Sequence, residues 1–110
     1  MIRINIKPMS TNKMYLGRKI KSAEYNKYEQ AVLKALPKDF KIPDPPLILF
    51  IDIGVSSTLA DLDNTLKPFI DCLQLKYGFN DKHIYHIIAN KMTVPKGDEF
   101  IEFNLEGKKE

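Results

Sequence analysis

The sequence predicts an α/β (α+β) domain: a mixed sheet of about four strands packed with two helices, in the order β-α-β-α-β-β. Three observations predict it. Ile2, Ile4 and Ile6 alternate with Arg3, Asn5 and Lys7, the period of a strand with one buried face. Leu47 to Val55 is a short run of β-branched and large apolar residues, the signature of a buried central strand. Residues 62–77 carry Leu62, Leu66, Phe69, Ile70, Leu73 and Tyr77 along one helical stripe.

Taken in order, the first strand stops at Pro8, and residues 9–21 (MSTNKMYLGRKIK) read as a basic loop. Ser22 is placed to cap a helix over Ala23–Leu36, where Tyr25, Tyr28, Val32, Leu33 and Leu36 follow helical spacing until Pro37 ends it. Ile42-Pro43-Asp44-Pro45-Pro46 is a stiff connector to the central strand. After the loop 56–60, the helix over 62–77 sets Asp63, Lys67, Asp71 and Gln74 within about 80° of arc opposite the apolar stripe. Pro68 opposes the carbonyl of Asn64; with Asp63 as cap, either the first turn is loosened or the helix starts later. Gly78-Phe79-Asn80-Asp81 is a turn, strands follow at Ile84–Met92 and Phe100–Leu105, and residues 106–110 read as a frayed tail.

Composition bounds the function. The 110 residues are 44% hydrophobic and 28% charged, the balance of one packed domain spanning 1–110. The run Leu47–Ile51 ends at Asp52, far short of the roughly 20 apolar residues of a membrane-spanning helix. One cysteine, Cys72, allows no intrachain disulfide, and no Cys/His set has zinc spacing, so a cytoplasmic setting is expected. Residues 1–40 hold nine Lys/Arg against three Asp/Glu, while 41–110 hold eight against eleven. A basic half joined to an acidic half suits a polyanion grip beside a carboxylate site.

The acids form a pattern. Asp61 and Asp63 stand two apart, and Asp81 opens the later strand region. If that strand runs beside the one before Asp61, all three carboxylates converge near the start of the second helix, with Lys67 a turn further on. Like charges about 4 Å apart repel by roughly 4 kcal/mol at an effective dielectric near 20. A hard divalent cation, Mg²⁺ or Mn²⁺, would offset that. Structural accounts compete: Asp63 as a helix cap, Lys67 in i,i+4 pairs with Asp63 and Asp71, Asp81 as a turn residue. Together they leave Asp61 unexplained. An EF-hand loop starting at Asp61 fails, because Leu66 and Cys72 stand where Gly and Glu are required.

Asp61-Leu62-Asp63-Asn64-Thr65 resembles the DxDxT signature of haloacid-dehalogenase-type phosphatases, but residues 56–60 intervene where that family runs a strand directly into its motif. Only 49 residues follow Asp61, too few for that doubly wound domain. The fuller match is Asp61-x-Asp63-Asn64-x-x-Lys67-Pro68-x-x-Asp71, then Gly78-Phe79-Asn80-Asp81 and the strand ending at Lys91, preceded by Pro8-x-Ser10-x-Asn12-x-x-Tyr15. This ordered set resembles the RusA family of Holliday junction resolvases. The resemblance implies a Mg²⁺-dependent endodeoxyribonuclease that acts as a homodimer on branched DNA and leaves 5′-phosphate and 3′-hydroxyl ends. Asp61, Asp63 and Asp81 would bind metal, and Lys67 would be the catalytic lysine. Asn80 departs from the family, which often has a second Asp there, and Thr58-Leu59-Ala60 replaces residues that are often basic.

Metal-activated water and a lysine near the leaving oxygen agree with these residue types. DNA contacts are expected from Lys7, Asn12, Lys13, Tyr15, Arg18, Lys19, Lys21 and Lys91, with Tyr15 stacking on an exposed base. His83 and His86 fall on opposite strand faces and receive no catalytic role. A noncatalytic nucleic-acid-binding module whose acids are structural is the remaining alternative.

Overall fold

Alternation and helical period translate directly into elements. A computed structural model describes residues 1–17 and 20–107. In chain order these are β1 (Ile2–Ile4), a 3-10 turn at Thr11–Lys13, β2 (Tyr15–Leu16), β3 (Ile20–Lys21), α1 (Ala23–Ala35), β4 (Leu47–Val55), α2 (Leu62–Tyr77), a 3-10 turn at Asp81–His83, β5 (Ile84–Thr93) and β6 (Phe100–Gly107). The mixed four-stranded sheet and its two helices match the expected α+β class. Several boundaries differ: β1 ends at Ile4 instead of running through Ile6 to Pro8, α1 ends at Ala35 instead of Leu36, and β5 ends at Thr93 instead of Met92. The segment read as a basic loop contains the antiparallel hairpin β2–β3. β6 runs two residues into the segment read as a tail. His83 ends a 3-10 turn rather than lying on β5 with His86.

The sheet order is β1-β6-β4-β5, with β6 antiparallel to both neighbours and β5 parallel to β4. β4 is buried because Leu47, Leu49, Ile51, Ile53 and Val55 all point to the face that the helices cover. Register carries that face across β6 through Ile101, Phe103 and Leu105. Fully burying one such side chain contributes about 1.5–3 kcal/mol. Phe69 of α2 meets Phe103 edge-on at 5.2 Å between centroids. Tyr77 donates from its hydroxyl to the Pro37 carbonyl at 2.7 Å, joining the end of α2 to the end of α1.

α1 begins as its sequence dictates, with Ser22 Oγ accepting from the Tyr25 N–H at 3.0 Å. α2 begins at Leu62, one residue after an Asp61 N-cap, so Asp63 lies in the first turn and is not the cap. Pro68 sits inside the helix without loosening it. Its missing N–H would orphan the Asn64 carbonyl. The Thr11 hydroxyl donates to that carbonyl at 2.8 Å, so the N-terminal loop fills the gap proline leaves. Gly78, at φ +71°, closes α2 in the left-handed conformation glycine adopts without strain. Cys72 is fully buried between α2 and α1, and burial, with Glu29 and Asp71 nearby, pushes its thiol up to about 12. Among the described residues, no helix is long and apolar enough to cross a membrane.

Candidate active site

Asp61 and Asp63 are delivered by the start of α2, at the edge of the sheet where β4 and β5 end. Negative charge is favourable there because the unpaired N–H groups of a first turn give a helix a partial positive end. A structural Asp at the N-cap would use its oxygen to accept one of those N–H groups. Asp61 makes no such bond. Its carboxylate accepts instead from Asn64 Nδ2 at 3.4 Å and is exposed. The Asp63 carboxylate is exposed and has no hydrogen-bond or ion-pair partner among the described residues.

Asp81 repeats the pattern elsewhere. It opens the 3-10 turn after α2, but the cap is Asn80, whose Oδ1 accepts from the Lys82 N–H at 2.9 Å. The Asp81 backbone N–H donates to Gln74 Oε1 at 2.9 Å, while its carboxylate is exposed and unpartnered among the described residues. Asp81 thus sits beside the last third of α2. Gln74 is eleven residues beyond Asp63, about 16 Å along the axis at 1.5 Å per residue.

The expected convergence of three acids is therefore not formed within one chain. The strand after Asp81 does run beside β4, as expected, but it runs parallel: Leu47 pairs with Ile84 and Val55 with Thr93. Asp81 precedes the start of that ladder and Asp61 follows its end. Among the described residues, no three His, Cys, Asp or Glu side chains stand together so as to hold a metal ion. Asp61 and Asp63 supply two oxygen donors of the kind Mg²⁺ takes, short of the expected set.

Lys67 is held by Asp71 at 3.1 Å, the i,i+4 pair that the spacing allowed. Asp71 Oδ1 also accepts from Gln74 Nε2 at 3.4 Å. Lys67, Asp71, Gln74 and the Asp81 backbone thus form one polar line along α2, and Asp71, unassigned from sequence, is its hub.

The basic residues divide into two groups. Lys7, Asn12 and Lys13 line a cavity of about 630 Å³ that also borders Asp61 and Asn64. Tyr15 and Lys21 belong to the hairpin beside Asp71 and Gln74. Lys21 is committed to structure, pairing with the buried Glu29 at 3.0 Å. Tyr15 packs its ring 6.2 Å from Tyr25 and remains partly exposed. Lys91 donates to the Ala60 carbonyl at 2.8 Å, so it clips β5 to the loop that presents Asp61. Arg18 and Lys19 lie outside the described residues.

Sequence reasoning missed Thr11 and Tyr28. Thr11 fixes the loop on α2; the only available signal was a hydroxyl residue in that loop and a helix-interior proline needing a donor. Tyr28 read as a core residue, and its ring is buried, but its hydroxyl is both buried and without a partner among the described residues. Compared with known proteins, the chain matches no protein-family model and no curated sequence.

Proposed function

We propose that this protein is a Mg²⁺-dependent, structure-specific endodeoxyribonuclease of the RusA type, cutting branched DNA as a homodimer. The observation that carries the reading is that Asp61 and Asp81 both occupy helix-start positions and neither carboxylate serves as a cap. Capping bonds do not account for these acids. The docking of the basic N-terminal loop on α2 through Thr11 also supports it, since Thr11 and Asn64, from the two parts of the motif set, meet although they are 53 residues apart.

A second copy resolves the separation of Asp81. β5 is an open sheet edge of ten residues, with Tyr85, Ile87, Ile88 and Met92 exposed along it. A long apolar edge is a pairing site. Antiparallel pairing of β5 with a two-fold-related β5 would place the start of one strand beside the end of the other. Asp81 of one protomer would then approach the sheet edge where its partner carries Asp61 and Asp63. Bound there, Mg²⁺ or Mn²⁺ would supply charge neutralisation and an activated water. Lys7 and Lys13 would bind phosphates, and Lys67 would stabilise the leaving oxygen after exchanging Asp71 for the substrate.

The test uses a labelled four-way junction with linear duplex as control. Asp61→Asn and Asp81→Asn should each abolish nicking while retaining junction binding in gel shifts. Mixing the two inactive variants should restore nicking, because half of the sites in a mixed dimer would keep a complete acid set. Nicking by both single variants would defeat the metal assignment, and a dead mixture of well-folded variants would defeat the shared site.

A further inference from the structure

The cavity beside Asp61 has a composition of its own. It opens between the N-terminal loop, α1 and the start of α2, and its volume of about 630 Å³ falls in the range of small-molecule sites. Ile6, Pro8, Met9 and Val55 give it apolar walls. Tyr28 also lines it, is 6% exposed, and has a buried hydroxyl that bonds to nothing among the described residues. A buried hydroxyl without a partner costs roughly 1–3 kcal/mol, and a ligand acceptor at that point would recover it. Burial keeps Tyr28 protonated, its hydroxyl well above its ordinary pKa, so it remains available as a donor.

Charge narrows the ligand. Lys7, Lys13 and Lys27 on the lining are balanced by Glu24, Asp61 and Glu99. Lys13 stands 4.0 Å from Glu24, and Glu99 accepts from Ser56 Oγ at 2.7 Å and from the Gly97 N–H at 2.8 Å. A lining of no net charge does not select a bare anion. It suits a flat, largely apolar group with polar edges and one attached phosphate.

From these features we infer that the cavity receives a nucleobase extruded from DNA, with Tyr28 Oη donating to an acceptor on the base edge. The apolar walls take the faces of the base, and the attached phosphate lies at the rim toward Asp61 and Lys7. Extrusion costs least where a base is already unpaired or has lost a stacking neighbour. The inference rests on the nuclease reading for its source of nucleotides and extends it by giving the chain a way to select which phosphodiester reaches Asp61.

The experiment titrates the full-length ¹⁵N-labelled protein with each of the four deoxynucleoside 5′-monophosphates and, separately, with inorganic phosphate. Nucleotides should shift the amides of Met9, Ser57 and Asn64, and phosphate should not. Tyr28→Phe, which removes only the hydroxyl, should weaken binding about tenfold while preserving the fold. Ser57→Trp, at an exposed lining position, should fill the cavity and abolish the shifts. Equal shifts with phosphate, unchanged affinity in Tyr28→Phe, or no shifts at millimolar nucleotide would each overturn the inference. Junction nicking without nucleotide shifts sinks the pocket and leaves the nuclease standing; Tyr28-dependent shifts without nicking do the reverse.

Discussion

Asp61 and Gly54 show how differently single residues are specified. Asp, Asn, Ser and Thr before a helix normally read as caps, and Ser22 and Asn80 behave so. Asp61 has the right type and place but no capping bond, a distinction of side-chain direction that residue type does not encode. Gly54 is explained by packing. A Cβ there would stand 2.4 Å from the Phe100 ring, which lies across it under the Arg3 guanidinium, 3.9 Å from the ring centroid. Gly54→Ala should therefore cost about 1–3 kcal/mol by forcing Phe100 outward. Urea denaturation checks this, and Phe100→Leu in the same chain should recover part of the loss, since the two positions are directly paired.

At the level of elements, periodicity disclosed every piece with a buried face. α1, β4 and α2 lie close to their expected positions because burial imposes a period that the sequence repeats. The β2–β3 hairpin escaped because Tyr15, Leu16, Ile20 and Lys21 are all exposed, leaving no alternation to read. Pro68 shows one element completing another. Thr11→Val keeps the shape of the side chain but removes the donor to the Asn64 carbonyl. The expected loss is about 1 kcal/mol, seen as a fall in melting temperature of roughly 4–8 °C in a domain of this size. An unchanged melting temperature would show that solvent satisfies that carbonyl equally well.

For the whole molecule, the class of the fold was legible and the meeting of the acids was not. Periodicity places Asp61, Asp63 and Asp81 on their elements, but the ends of the sheet they share depend on strand direction. A helix joining β4 to β5 makes the pair parallel, which sends Asp81 to the opposite edge. The core also predicts an alkaline limit. Burial raises Cys72, Tyr25, Tyr28 and Tyr77 above their ordinary values. Such groups contribute fully below their unfolded pKa values, and their contribution is lost as pH rises toward the folded ones. The urea midpoint should hold level near neutrality and fall from about pH 9 upward. Cys72→Ala should soften that fall, whereas a flat profile to pH 11 would contradict the burial argument.

The Lys91 clip has a mechanical corollary. The same ribbon of chain that forms the rim of the sheet also tethers, through one ammonium and the Ala60 carbonyl, the loop from which Asp61 projects. Anything that grips the rim pulls on that tether, so assembly along the rim and the aim of Asp61 are adjusted together.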